Sequence, residues 1–581
     1  MSSSITHRNG AKFAQVNEDL SKPQNELQSD FTETQSMDSD EQYLIQPIFI
    51  PAFKRTLIDT AQNALGYKQA LHRHWKLFES FASAFAALYF VGGIRVTFSI
   101  GVGAGGPLAY WSSFLVTCVF VFITAAVIAE ICSALPAAGS IYFWAAASGG
   151  PKYGRLFGFV VAWWSCTAWT TFISSNSQGA ANYILSEIAV FGYDFPTSVN
   201  DIRFRAVQWI VAECICFISI GMCFIPPKIY RHVFRIATGI VLLDFAMNMI
   251  WLPIAVSRSY GFQDKSFLLQ TYNETGAPPV WNWMLSYYVT AGILVGYEAS
   301  GHISEETQSA NINSAKGIFF SALAAGLLGI PTVILFLFCT PDLDTFYSFV
   351  APQPFVNLYA LTMGQRTHII MIVVVVFGHI FNTSVAGVAA SRLIWAVARD
   401  GVLPFSGWIS KVTPSGEPRN AIIVMLAVAS ALLCTILPSP VAFTSLVSAA
   451  GVPTITGYAL ICFGRTFITP NDFKHARWNL GKFSRPMTFI AFVWNTYLAG
   501  VLFSPLFFPV TAETFNYSCV IFGAITVFGV VTWWVTPEEK WLPSARLGKL
   551  RDMQEEEERR RREREGSKTG SGETERPLGG E

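Results

Sequence analysis

The chain has 581 residues, of which 52% are hydrophobic and only 14% are charged, and its mean hydropathy is +0.39. In soluble domains about a quarter of all residues are charged, so these values exclude an ordinary water-soluble protein. The net charge of +1 gives no indication of a polyanionic partner such as a nucleic acid.

The charged residues concentrate at the two ends of the chain. Seventeen precede position 78 and 23 follow position 536, so 39 remain in the 459 residues between them. Residues 1–77 begin with a polar stretch that lacks the features of a signal peptide, and 57–75 predict an amphipathic helix approaching a membrane. We therefore predict an N-terminal tail at 1–77 and a charged C-terminal tail at 537–581.

Twelve apolar runs between the tails are long enough to cross a bilayer. They lie at about 79–101, 108–133, 155–187, 205–226, 231–256, 280–300, 317–340, 367–397, 420–436, 441–464, 486–509 and 516–536. Alternate loops hold fifteen Lys and Arg residues on one side and five on the other, which predicts that the first side, with both tails, is cytosolic. The sequons at Asn273 and Asn516 fall on the opposite side.

Glycine-rich segments interrupt two of these runs, from Gly92 to Thr97 in the first and from Gly292 to Gly301 in the sixth. Non-helical backbone at membrane depth requires a protein-lined cavity, although glycines also allow close helix packing. Arg95 and Glu298 lie inside these segments. Because charged side chains inside a membrane are costly, they favour the interpretation as a cavity over that of close packing. Because the two runs are five apart, the pattern predicts an inverted-repeat transporter with its site at the breaks.

Two longer motifs lie at residues 130–144 (EICSALPAAGSIYFW) and 391–404 (SRLIWAVARDGVLP). The first resembles the second-helix signature of the amino acid-polyamine-organocation permeases, and the second resembles the eighth-helix exit of that superfamily. The segment 302–307 (HISEET), with Gly66-Tyr67 and 71–73 (LHR), resembles the fungal amino acid/choline branch. The resemblance covers roughly residues 64–536.

The resemblance implies an all-α membrane protein with twelve transmembrane helices. Ten would form a five-plus-five inverted repeat of the leucine-transporter type at 78–464, with helices 1 and 6 discontinuous, and helices 11 and 12 would follow at 465–536. It also implies proton-coupled uptake. The substrate carboxylate would lie on the amides of Gly92, Gly93 and Ile94, and the amine near Gly296, Tyr297 and Glu298.

Two positions depart from the resemblance. The aromatic gate expected about four residues before the sixth-helix glycine is replaced by Gly292. Relatives also generally lack a cation where Arg95 stands, which suggests that the substrate carries a larger or second anionic group. Arg95 therefore joins the predicted substrate-binding residues.

Glu298 and Asp244 are the candidates for carrying the coupled proton. Glu298 could instead pair with the substrate ammonium or, as a structural alternative, with Arg95. Asp244, inside the fifth span, could instead make a buried polar contact. Tyr297 is expected to pack over a bound amine through a cation–π contact.

Other polar and aromatic side chains have mainly structural interpretations. Asn382, Thr383 and Ser384 could line a cation site or bond between helices. Five aromatic side chains are interpreted as lipid-interface or packing residues: Trp163, Trp164, Trp169, Tyr287 and Tyr288. His302 and His379 are expected to be hydrogen-bonded core histidines, and Arg392, Arg399 and Asp400 to form gate or anchoring pairs.

The sequence thus predicts a multi-pass plasma-membrane permease that imports an amino acid or a GABA-like zwitterion by alternating access. It would be driven by the proton gradient, without a cofactor, metal or nucleic-acid partner. A choline- or polyamine-type cation carrier and a non-transporting nutrient sensor are the alternatives. An enzyme is not indicated, because no nucleophile, base and orienter are recognisable. The oligomeric state is not indicated either.

Overall fold

A computed structural model describes residues 70–439, 450–473, 476–538 and 541. These residues all belong to one compact unit that spans Thr56–Glu581. Within the described ranges every regular element is a helix, apart from two isolated β-bridges. Ten of the described helical segments are long and apolar enough to cross a membrane. The predicted all-α membrane fold is confirmed.

The helices are numbered here in chain order. They are α1 (Leu77–Leu88), α2 (Phe90–Gly103), α3 (Gly106–Ala134), α4 (Ser140–Ser148), α5 (Gly150–Phe191), α6 (Ile202–Gly221), α7 (Pro227–Ser257), α8 (Pro279–Ile293), α9 (Ala299–His302), α10 (Ala310–Cys339), α11 (Leu343–Tyr347), α12 (Pro354–Met363), α13 (Ile369–Arg399), α14 (Ser406–Ile409), α15 (Arg419–Leu433), α16 (Gly451–Phe463), α17 (Ser484–Phe503) and α18 (Ser518–Val535).

Ten of the twelve predicted spans correspond to the long segments, with α1 and α2 together forming the first. The sixth predicted span is divided into α8, of 15 residues, and the short α9. The tenth is represented by α16, while its predicted start at 441–449 lies outside the described residues. The predicted tails at 1–77 and 537–581 lie almost wholly outside them as well, so the domain boundaries stay predictions.

The first break lies at Tyr89, three residues before the predicted glycines. Tyr89 has φ 36° and ψ 55°, a left-handed conformation that ends α1 and begins α2. Gly92, Gly93 and Ile94 lie inside α2, so the predicted position of this break was wrong. Gly92 still has a local cause, because a Cβ at this position would lie 2.3 Å from the Tyr89 ring.

The second break falls where the sequence predicted it. The helix α8 ends at Ile293, and α9 begins at Ala299. Gly296, between them, has φ 114°, a conformation that is readily available only to glycine. The two interrupted spans are therefore five apart, as a five-plus-five repeat requires.

The long helices α5 and α13 pack against each other, and α13 also contacts α1 and α9. On α10, Gly326 and Gly329 allow close approach to α3, since a Cβ there would lie 2.6 Å from the rings of Phe122 and Phe114. The contacts of α13 with α1 and α9 place both breaks beside α13.

Candidate functional site

A cavity of about 310 Å³ lies between the two breaks. Its wall is formed by α1, α2, α5, α8, α13, α16 and α17 together with the segment that joins α8 to α9. Most of the wall is apolar or aromatic, and a few polar side chains converge on it. A concave, largely apolar space with a few placed polar groups is the usual form of a small-molecule site.

Glu298 supplies the carboxyl group of this cavity. Among the described residues, it is the only Asp, Glu, Lys or Arg that lines the wall. Its side chain is buried and accepts a short hydrogen bond from the Tyr458 hydroxyl. The alternative of a structural pair with Arg95 does not fit, because the Arg95 guanidinium is paired elsewhere.

Arg95 forms a buried, two-pronged ion pair with Asp244. Its Nη1 donates to Oδ1 at 3.0 Å and its Nη2 to Oδ2 at 2.7 Å. Three phenol oxygens, those of Tyr183, Tyr359 and Tyr89, accept further bonds at 3.0, 3.1 and 3.3 Å. The Arg95 guanidinium is thus surrounded by acceptors, and Arg95 is not among the residues that line the cavity.

Tyr89 separates the cavity from this ion pair. Its ring lines the cavity, and its hydroxyl donates to Asp244 Oδ2 at 2.7 Å. Two glycines from different helices accommodate the ring: a Cβ on Gly92 would meet it at 2.3 Å, and one on Gly378 would meet the hydroxyl at 2.2 Å. Sequence analysis did not single out Tyr89, although a tyrosine three residues before a glycine pair was visible.

Two of the three backbone amides that were predicted to bind the substrate carboxylate are engaged within α2. The first three amides of α2, those of Phe90, Val91 and Gly92, have no acceptor within the helix. The Gly93 amide already donates to the Tyr89 carbonyl at 3.0 Å, and the helical position of Ile94 directs its amide to the preceding turn. Of the three predicted amides, only that of Gly92 lacks an acceptor within the helix, and Gly92 is not among the residues that line the cavity, whereas Gly93 is.

Asn382 occupies the end of α1 at the first break. Its Nδ2 donates to the carbonyls of Ala86 and Ala87 at 2.6 and 2.8 Å, and its Oδ1 accepts a short bond from Asn176 of α5. These carbonyls belong to the last turn of α1, which has no helical donors. Asn382 therefore acts as a side-chain cap that ties α13 to the broken helix, and it also lines the cavity.

The aromatic residues of the wall differ from the predicted one. Tyr297 stacks on Tyr458, with ring centroids 5.2 Å apart and planes at 13°, and it is not among the lining residues. The cavity is lined instead by Trp169 and Tyr288, which sequence analysis treated as interface or packing residues, and by Phe172. Periodicity alone could not separate these residues from lipid-facing aromatics.

The two histidines differ from each other in their hydrogen bonding. His302 makes one hydrogen bond, between its Nδ1 and the Ser140 hydroxyl at 2.6 Å. His379 is buried and lines the cavity, but neither of its ring nitrogens has a hydrogen-bond partner among the residues that the structure describes. The expectation of a hydrogen-bonded core histidine was wrong for His379.

Two ion pairs lie at the C-terminal end of α13, one of them fully buried and the other partly exposed. Arg392 Nε lies 2.7 Å from Glu306 Oε1, and Arg399 Nη1 lies 2.9 Å from Glu305 Oε2. Arg392 follows Asn382 by ten residues, which is about 15 Å along a helix. These contacts confirm the predicted pairing of Arg392 and Arg399, and they close the bundle beyond the cavity at this end.

Comparison with known proteins agrees with this architecture. The family profile described as "Amino acid permease" matches residues 76–525, which is most of the chain. The chain therefore belongs to the amino acid permease family. Its family and relatives are transport proteins rather than enzymes.

Individual relatives differ in what their names say they carry. The chain is 47% identical over 504 residues to the thiamine transporter thi9 of Schizosaccharomyces pombe, with 82% of this chain and 85% of that protein covered. It is 25% identical over 509 residues to the amino-acid permease BAT1 of Arabidopsis thaliana (82% and 94% covered). It is 24% identical over 490 residues to amino-acid permease 2 of Neurospora crassa (82% and 87% covered).

Proposed function

We propose that this permease is a secondary transporter for thiamine or a similar heteroaromatic cation. The observation that carries the proposal is the charge of the cavity, where Glu298 is the one formally charged side chain among the described lining residues. An aromatic wall with a single carboxylate matches a flat organic cation, because aromatic faces attract positive charge. The 47% identity to a thiamine transporter supports the same substrate.

The sequence-based objection to a cation substrate was Arg95, which would repel it. The ion pair with Asp244 removes that objection, since the guanidinium is neutralised and lies outside the cavity wall. The same pairing weakens the case for a substrate with a second anionic group. Asp244 is engaged by Arg95, Tyr89 and Asn248, which makes Glu298 the stronger of the two proton-carrier candidates.

An amino acid or GABA-like zwitterion is the second candidate substrate. It is favoured by the start of α2 at the first break, because the amides at a helix N-terminus can hold a carboxylate. The amino-acid permeases among the relatives support it as well. Choline and polyamines share the positive charge of thiamine but not its aromatic rings, so the aromatic wall favours them less.

Import into the cytosol, proton coupling and plasma-membrane location complete the proposal. The excess of Lys and Arg in one set of loops supports cytosolic tails. With that orientation, the ion pairs of Arg392 and Arg399 lie at the cytosolic end, and the cavity belongs to a conformation closed towards the cytosol. A buried carboxyl such as Glu298 can exchange a proton when the cavity opens.

The test is uptake of labelled thiamine by cells that lack their own thiamine and amino-acid transporters. Thiamine, GABA, a panel of amino acids, choline and spermidine serve as unlabelled competitors, at pH 5 and pH 7.5. We expect saturable thiamine uptake that is faster in acid and is unaffected by the amino acids. Competition by amino acids with no thiamine uptake would support the zwitterion, and binding without accumulation would support a sensor.

A further inference from the structure

His379 is a polar group in the cavity whose hydrogen-bonding capacity is unused. The side chain is 3% exposed, it lines the cavity, and within the described part of the chain neither Nδ1 nor Nε2 has a partner. A buried polar group without a hydrogen bond costs free energy, and such groups are rare in folded proteins. An exception that faces a binding cavity indicates that a ligand supplies the missing partner.

The surroundings of His379 hold the ring in place without satisfying it. Tyr89 packs edge-on against the imidazole with a centroid distance of 5.1 Å, and Tyr183 lies at 5.5 Å. The hydroxyls of both tyrosines are directed to the ion pair: that of Tyr89 donates to Asp244, and that of Tyr183 accepts from Arg95. The imidazole is therefore positioned by two rings, while its nitrogens remain available.

We propose that His379 is a specificity residue that hydrogen-bonds the neutral, polar edge of the transported heterocycle while Glu298 faces its positive charge. The proposal rests on the proposed function. Thiamine has two rings, a thiazolium with a permanent positive charge and a neutral aminopyrimidine with a donor amino group beside an acceptor nitrogen. A neutral imidazole offers one donor and one acceptor, which suits such an edge.

The two contacts come from independent parts of the fold. His379 is carried by α13, whereas Glu298 lies at the second break just before α9. Both line the same cavity. A site with hydrogen-bonding groups rejects analogues that lack the matching atoms, because its own buried polar groups are then left unpaired. His379 thus distinguishes thiamine from cations with a plain aromatic ring.

The experiment compares His379→Phe and His379→Gln with the wild type in uptake of two labelled probes. One probe is thiamine, and the other is an N-benzyl thiazolium in which phenyl replaces the aminopyrimidine. We expect His379→Phe to raise the KM for thiamine roughly threefold to tenfold, the usual effect of one lost neutral hydrogen bond. We expect the KM for the benzyl thiazolium to stay within about twofold, and His379→Gln to restore part of the thiamine affinity. His232→Phe, at an exposed position of α7, is the matched control.

The outcomes separate the two proposals. An equal change in KM for both probes would assign His379 a merely structural role and overturn the inference. An unchanged KM for thiamine in His379→Phe would also overturn the inference about His379. The proposed function would still stand in that case, because the wild type takes up thiamine. Absence of saturable thiamine uptake by the wild type would overturn the proposed function and this inference with it.

Discussion

The Tyr89 hydroxyl donates to Asp244 Oδ2 at 2.7 Å, so the residue at the first helix break is bonded to the acidic member of a buried ion pair. The ring of the same Tyr89 side chain lines the cavity. A displacement of Tyr89 during transport would therefore disturb the hydrogen bonds of Arg95 and Asp244. The ion pair is placed to stabilise one position of the break.

Replacement of Arg95 by Met is expected to destabilise the protein by about 3–5 kcal/mol, because it leaves the Asp244 carboxylate buried without its partner. The double replacement Arg95→Met with Asp244→Leu removes both charges and is expected to recover much of that loss. Thermal unfolding of detergent-purified protein measures the effect. If Arg95→Met, Asp244→Leu and the double variant all lost the same stability, the ion pair would not be what stabilises the buried Arg95.

Gly92→Ala and Gly378→Ala are both expected to impair uptake at least several-fold, because both crowd the side chain of Tyr89. Each new Cβ would press on Tyr89, at 2.3 Å from the ring and 2.2 Å from the hydroxyl respectively. Overpacking of this kind costs about 1–3 kcal/mol and would displace the ring at the break. Gly239→Ala, with nothing within 4 Å of its Cβ, is the control. Normal uptake by both clashing variants would show that the Tyr89 position is not needed.

The sequence was sufficient for the fold because the relevant signals are local. Runs of about twenty apolar residues and the glycines of the sixth span predicted the helices and the second break. The partner of Arg95 could not be predicted in the same way. Asp244 lies 149 positions away, and its pairing depends on how α2 and α7 pack. A charged residue in a span signals a buried partner without identifying it.

The wall of the cavity was also beyond the reach of single-sequence reasoning. Trp169 and Tyr288 line it, whereas Tyr297, at the break itself, stacks behind Tyr458. In a membrane protein nearly every helix face is apolar, so aromatic periodicity does not distinguish a lipid-facing side from a cavity-facing one. Glu298 was found because a lone carboxyl in an apolar run is costly and therefore informative.

Glu298→Gln is expected to reduce thiamine uptake by at least about 30-fold, which corresponds to the loss of about 2 kcal/mol from a buried charge contact. If Glu298 carries the coupled proton rather than facing the cation, the remaining uptake should no longer increase in acid. Glu213→Gln is a matched control, since Glu213 accepts a bond from Trp209 within α6 and is not among the lining residues. Full, acid-stimulated uptake by Glu298→Gln would exclude Glu298 as the cation or proton site.

Asn382→Ala is expected to destabilise the protein by about 1–3 kcal/mol and to slow uptake, because the carbonyls of Ala86 and Ala87 would lose the donor that caps α1. Asn382→Asp should be at least as severe, since a carboxylate has no hydrogen to donate and repels the two oxygens. Thr383→Ala is the neighbouring control, because the Thr383 hydroxyl makes no hydrogen bond. Thermal unfolding and uptake are measured for all three variants. Wild-type stability in Asn382→Ala would mean that the end of α1 is held by the packing of α13 rather than by the amide.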